Sequence, residues 1–155
     1  MNLLERKLKR NPLGIWITLL ALLLIMLAWL MQGYSLLNWE KAAELGLQNS
    51  SFLGNDIELA WATKERGEAL ADLLWPFPLT LIAIIGLWKR KIVGFVASMM
   101  VFAICIYFPL FYVFQVWDIH RETAVMAVII WGIPSILGII GLWANKSIFL
   151  KTSPK

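Results

Sequence analysis

Four stretches of this chain are too long and too apolar to fold in water. Pro12–Met31, Ile92–Val116 and Ala124–Ala144 each run for 20 residues or more without a formal charge. At 1.5 Å rise per residue, about 20 helical residues cross a hydrocarbon core of roughly 30 Å. The fourth stretch, Leu73–Trp88, has 16 residues. Ala69, Leu70 and Ala71 extend it, and a bilayer thins locally around a short span. The composition agrees, with 60% hydrophobic and 15% charged residues, against about 25% charged in a soluble domain. The sequence predicts an all-α integral membrane protein, one membrane domain over 1–155, with spans at about 12–33, 73–88, 92–116 and 123–144. The first stretch has the basic start of a signal peptide (Arg6, Lys7, Lys9, Arg10), but its apolar run is too long. No small-x-small cleavage site follows near Met31–Tyr34, so a retained first helix is expected.

Charge sets the orientation. With the N-terminus inside, the inner segments are 1–11, Lys89–Lys91 and Asn145–Lys155; they hold ten Lys/Arg and one acid, Glu5. The outer segments, about 35–72 and 117–123, hold four Lys/Arg and nine acids. Positively charged loops stay in the cytoplasm, so both termini are expected there, in a plasma or inner membrane. The net charge of +4 then reflects topology and attraction to anionic lipid, and calls for no nucleic-acid partner. Cys105 is the single cysteine. It lies mid-span and makes no intrachain disulfide.

The chain also repeats itself. IIGLW occurs at Ile84–Trp88 and again at Ile139–Trp143. Lys9-Arg10 leads to Gly14 and Thr18, and Lys89-Arg90 leads to Gly94 and Ser98, both reading K-R-x3-G-x3-[S/T]. Trp75–Pro78 and Trp131–Pro134 both read W-x-x-P. The order is the same in each half. The expected architecture is therefore two similar helical hairpins with the same orientation, related by an axis along the membrane normal. Trp88 and Trp143 suit an interface, and the paired small residues suit close helix contacts. The ridge Ser135, Gly138 and Gly141 adds a further contact stripe.

The halves differ in their outer segments. The first is about 40 residues long and the second about seven. In the first, Leu36, Trp39, Ala43 and Leu47 fall on one helical face. Residues 48–55 are turn-rich, and Asn55 with Glu58 reads as a capping box that opens a helix running from Asp56 toward the second span. Short helices capping the extracytoplasmic side over about 35–72 are expected, because a structureless loop of that length is uncommon. Asn49-Ser50-Ser51 is a glycosylation sequon, relevant only in a eukaryotic host.

The candidate ligand-binding residues lie at this outer end: Glu68, Asp72 and Trp75 from the first half, Tyr107, Tyr112, Gln115, Asp118 and His120 from the second. Tyr107 and Tyr112 straddle Pro109, which removes a backbone hydrogen bond and frees a carbonyl near Cys105. Asp118-x-His120-x-Glu122 holds metal-ligand residue types, but on a helix His120 points away from the other two, and helix capping explains the acids more simply. No metal or cofactor is implied. No ionisable residue lies at the centre of any span, which argues against ion-coupled transport. The favoured reading is a non-enzymatic accessory protein that binds lipid, a membrane-protein partner or a second copy of itself. The alternative is a membrane-embedded enzyme or carrier for an amphiphilic small molecule, with its site near the outer leaflet.

The topology is open to direct test. In a Cys105→Ser background, Asn55→Cys should react with an impermeant maleimide on intact cells. Ser153→Cys should react only after permeabilisation.

Overall fold

The computed structural model describes residues 3–8, 11–45, 56–118 and 121–150. A 3-10 turn (Leu3–Glu5) and a minute hairpin, β1 (Lys7–Leu8) and β2 (Asn11–Pro12), precede the helices. The helices are α1 (Leu13–Leu37), α2 (Trp39–Glu44), α3 (Asp56–Leu74), α4 (Pro76–Trp88), α5 (Ile92–Val116), α6 (Arg121–Ala127), α7 (Ile133–Ala144) and α8 (Ser147–Leu150), with a π turn (Val128–Gly132) between α6 and α7. Among the described residues, four helical segments are long and apolar enough to cross a membrane: Leu13–Leu37, Thr63–Trp88, Ile92–Val116 and Arg121–Ala144. Only 28% to 44% of the most apolar window of each is buried within the protein. The remaining faces are mostly leucine, isoleucine and valine with some aromatic and methionine side chains, which lipid covers at low free energy.

Two helices run beyond the stretches expected to cross. α1 continues to Leu37, past residue 33, and within the added turn Ser35 bonds its hydroxyl to the Met31 carbonyl at 3.0 Å. The second span begins upstream of Leu73, because α3 runs to Leu74 and α4 starts at Pro76 in one apolar stretch. Proline at the first helical position lacks only an N–H that would be orphaned there anyway.

The chain forms two compact units. The larger comprises Met1–Met26 with Leu79–Lys155, the smaller Leu27–Pro78. In the larger unit, glycine decides where helices touch. A Cβ on Gly14 of α1 would fall 2.7 Å from the Gly141 carbonyl oxygen of α7, and one on Gly86 of α4 would fall 2.6 Å from the Gly94 nitrogen of α5. Backbones pack on backbones at both places. Thr18 shares its hydroxyl hydrogen between the Gly14 carbonyl at 2.9 Å and, across the helix contact, the Gly138 carbonyl at 3.0 Å. Ser98 makes the matching local bond to the Gly94 carbonyl at 2.7 Å. On the other side of Gly138, a Cβ would run into the ring of Phe102 from α5. The buried face of α5 is Gly94, Ala97, Ser98, Val101, Phe102 and Cys105, a three-four spacing that makes one helical stripe. The two IIGLW tryptophans are similarly exposed, Trp88 at 50% and Trp143 at 55%, though Trp88 meets Trp16 edge-on and Trp143 lies under Lys146. The W-x-x-P tryptophans differ in exposure, since Trp75 is 60% exposed and Trp131 9%.

The π turn has a local cause. Pro134 has no N–H to offer the turn before it. The register widens there, and Ile133 N–H bonds the Val128 carbonyl five residues back.

The link between α4 and α5 is three residues, Lys89–Lys91. Lys91 N–H bonds the Gly86 carbonyl at 2.8 Å and Arg90 N–H bonds that of Leu87 at 2.9 Å. This is the Schellman pattern, whose penultimate position is left-handed and usually glycine. Here it is Arg90, at φ 53°. The side chain explains the choice: its Nη2 and Nε donate to Asn11 Oδ1 at 3.1 and 3.3 Å, and Asn11 is 2% exposed. Asn145, at the end of α7, donates its amide to the carbonyls of Leu4 at 3.2 Å and Gly141 at 2.9 Å. One end of this unit is thus closed by two buried asparagines and an arginine. Arg90→Ala keeps the left-handed strain and strands the Asn11 oxygen, so it should destabilise by about 1–3 kcal/mol. Arg90→Gly loses the same bond but relieves the strain, and should be about 1 kcal/mol less damaging. Unfolding in mixed detergent micelles measures the difference.

Candidate functional site

The smaller unit contains a groove of about 650 Å³, within the range of roughly 300–1,000 Å³ typical of small-molecule sites. Leu30, Gly33, Leu36 and Leu37 of α1 form one wall, and Arg66, Gly67, Leu70 and Leu73 of α3, with Phe77 of α4, form the other. The walls follow from the sequence. On α3 the positions 66, 67, 70, 73 and on α1 the positions 30, 33, 36, 37 recur at helical spacing, so each set shares a face. Gly67 is the unusual member. A glycine inside a helix is about 1 kcal/mol less favourable than alanine, and one usually expects close packing in return. Gly67 has no such packing, for a Cβ there would meet nothing within 4 Å. Gly33 is different, because a Cβ there would touch Leu73 at 3.4 Å. The bare backbone at Gly67 leaves the groove open.

Arg66 is the one charged residue among those that line it. Its guanidinium carbon sits 5.0 Å from the centre of the Trp39 ring, a cation–π contact that helps hold the side chain in place. Trp39 and Ala42 form the buried face of α2. Three other charged residues of α3 have partners of their own. Lys64 Nζ pairs with Glu68 Oε1 at 3.3 Å, one helical turn away. Asp72 is half-buried and accepts a hydrogen bond from the Gln32 side-chain amide.

The structure distributes the expected site residues as follows. Glu68 and Asp72 lie four residues apart on α3, engaged with Lys64 and Gln32 respectively. Trp75 is exposed between α3 and α4. In the larger unit, Tyr107 stacks on Phe111 with centroids 6.3 Å apart and is 68% exposed. Tyr112 stacks on Phe108 at 5.5 Å, and Phe108 meets Trp131 edge-on at 6.2 Å. This aromatic group stands beside Pro109, whose ring lies 3.6 Å from where a Cβ on Gly132 would be. Gln115 is half-buried, and its Oε1 is buried and accepts no hydrogen bond from the described residues. Asp118 is exposed. His120 lies outside the described residues, as do Leu47, the sequon at Asn49 and the Asn55 cap. Among the described residues, no three His, Cys, Asp or Glu side chains group as metal ligands.

Sequence reasoning passed over Arg66 and Gly67, because KERGEAL reads as a solvated turn of helix. The signal was the glycine, an isolated breaker inside a strong helix-forming run. No protein-family model, curated protein or solved structure matches this chain.

The two acids of α3 should respond differently to mutation. Gln32→Leu removes the amide that Asp72 depends on and should destabilise by about 1–3 kcal/mol. Glu68→Gln breaks a part-exposed ion pair and should change stability by less than about 0.5 kcal/mol. Chemical unfolding of the two variants in the same detergent is the comparison. An equal loss would mean that Glu68 also has a buried partner.

Proposed function

We propose that this chain is a non-enzymatic, four-span membrane protein that works by binding lipid or a membrane partner on its extracytoplasmic side. The observation that carries the reading is the leucine-walled groove between α1 and α3. It falls within Leu27–Pro78, and the Lys/Arg asymmetry assigns the hydrophilic part of that segment to the outside. Apolar walls with one charge suit holding an amphiphile. They offer no nucleophile or base within the lining, so the groove supplies binding rather than bond-making.

The same proposal includes the two-hairpin architecture, with α2 and the start of α3 as an outer cap. In support, the glycine of each K-R-x3-G-x3-[S/T] element meets the glycine of the IIGLW element from the other half: Gly14 meets Gly141, and Gly94 meets Gly86. A two-fold rotation that carries α1 onto α5 and α4 onto α7 carries one contact onto the other. Thr18 and Ser98 make the same backward bond in the two copies.

A second reading, an enzyme or carrier for an amphiphile, draws on the other expected residues: Tyr107, Tyr112, Gln115, Asp118, His120, Glu68, Asp72 and Trp75. Its specific support is the aromatic group at Phe108, Tyr112 and Trp131 beside a proline and a π turn, since π turns are frequent at functional sites.

Native mass spectrometry of the gently extracted protein separates these readings. The binding protein should retain lipid, a protein partner or a second copy of itself through mild activation. A turned-over or cofactor-sized small molecule would favour the second reading, and a bare chain would refute the first.

A further inference from the structure

One hydroxyl of the larger unit sits where a bilayer offers it nothing to bond. α5 has 25 residues and rises about 37 Å, so a hydrocarbon core of roughly 30 Å covers all but its ends. Tyr107 is nine residues from Val116, the nearer end, which puts its Cα about 10 Å inside the hydrocarbon. Cα–Cβ bonds lean toward a helix's N-terminus, so the side chain starts out away from that nearer end. The residue is 68% exposed and therefore faces lipid. Its ring stacks on Phe111, but its hydroxyl has no hydrogen-bond partner among the described residues. A bare hydroxyl in hydrocarbon is costly, and lipid tails carry no acceptor.

The face around Tyr107 has the spacing of a helix seam. Val96, Met100, Ala103, Tyr107, Leu110 and Phe114 are all exposed and follow one another in alternating steps of four and three. That is the period by which two parallel helices pack at about 20°. Ala103, one turn from Tyr107, lets backbones approach. Trp117 continues the alternation. Arg121 lies over its ring at 4.9 Å, and Asp118 beside it is exposed, with no ion pair among the described residues.

We infer that this face of α5 is a two-fold interface with a second copy of the chain, the two Tyr107 hydroxyls bonded to each other. A hydroxyl both donates and accepts, so Tyr107 is complementary to itself. A two-fold axis along the membrane normal brings identical residues together at identical depth. The end of the seam is complementary as well, because each copy brings an acid and a cation there, Asp118 of one to pair with Arg121 of the other. The inference rests on the reading of the chain as a four-span protein with a membrane partner. It names that partner and its surface, and it is independent of the groove between α1 and α3.

Disulfide crosslinking in membranes tests the face. In a Cys105→Ser background, Val96→Cys and Ala103→Cys should each give a covalent dimer under copper–phenanthroline oxidation. Leu137→Cys, on an exposed face of α7, should not. Crosslinking as strong at Leu137→Cys as at the seam, or absent from the seam, overturns the interface. Sedimentation equilibrium in detergent micelles tests the bonds. Tyr107→Phe keeps the ring and should raise the dimer dissociation constant about threefold, the effect of an average interhelical hydrogen bond in a membrane. Dimerisation as tight as that of the native chain overturns the hydroxyl pair. Asp118→Arg should weaken the dimer and Arg121→Asp in the same chain should restore it; failure of the restoration overturns the pairing at the seam's end. A monomer that retains lipid or a different protein in native mass spectrometry defeats this inference and leaves the proposed function intact, whereas a bare monomer defeats both.

Discussion

Helices in a bilayer have no hydrophobic reason to touch, because lipid tails are as apolar as leucine. What draws them together is close van der Waals contact and whatever hydrogen bonds that contact permits. In this protein both come from the same few positions. Gly14 on Gly141 and Gly86 on Gly94 bring backbones to a distance that any side chain would prevent. At the first of these contacts the approach lets Thr18 reach the Gly138 carbonyl of the neighbouring helix. Such bonds average about 0.6 kcal/mol in membrane proteins, so none of them holds the bundle alone. Glycine contributes mainly by geometry: it decides which faces meet, and Phe102 then fills the space that Gly138 leaves.

Two buried amide side chains of the larger unit lie at its cation-rich end. Asn11 and Asn145 are both buried, and each spends its side chain on closing a connection. Asn145 ties the end of α7 to the N-terminal turn through Leu4. Asn11 takes two N–H groups from Arg90 and so fixes a left-handed turn that glycine would otherwise supply. The arginine is kept at a strained position because its side chain is needed there, a cost of order 1–2 kcal/mol offset by satisfying a buried oxygen. The first K-R pair, at Lys9-Arg10, lies outside the described residues, while the second forms the tight link between α4 and α5.

The spans were legible in the sequence because a bilayer imposes length and apolarity on any segment that crosses it, and both are one-dimensional properties. Small-residue contacts were legible for a related reason: Gly14 with Thr18, and Gly94 with Ser98, stand at helical spacing, and spacing alone puts them on one face. Their partners were not legible, since nothing local says that Gly14 meets α7 and Gly94 meets α4. The π turn also escaped. Pro134 announced a disturbance, but whether the helix kinks or widens its register depends on what packs there, and Pro109 does. The matched W-x-x-P elements misled in part, because a tryptophan shortly before a shared motif can be exposed in one half and packed in the other, as Trp75 and Trp131 are.

The groove was the least legible feature, and the reason is general. A cavity is made of what is missing, and sequence patterns report what is present. Leu30, Leu70 and Leu73 look like any lipid-facing leucines, and Arg66 looks like one charge in a solvated run. Only Gly67 registers an absence, and its meaning depends on the wall opposite. Had a helix packed there, Gly67 would have been a contact like Gly86 or Gly141, tight against a backbone. With nothing within 4 Å, the same residue type keeps a space open. Glycine thus has two opposite uses in one chain, closing helices on each other in one unit and holding a groove open in the other, and the residue identity alone does not distinguish them.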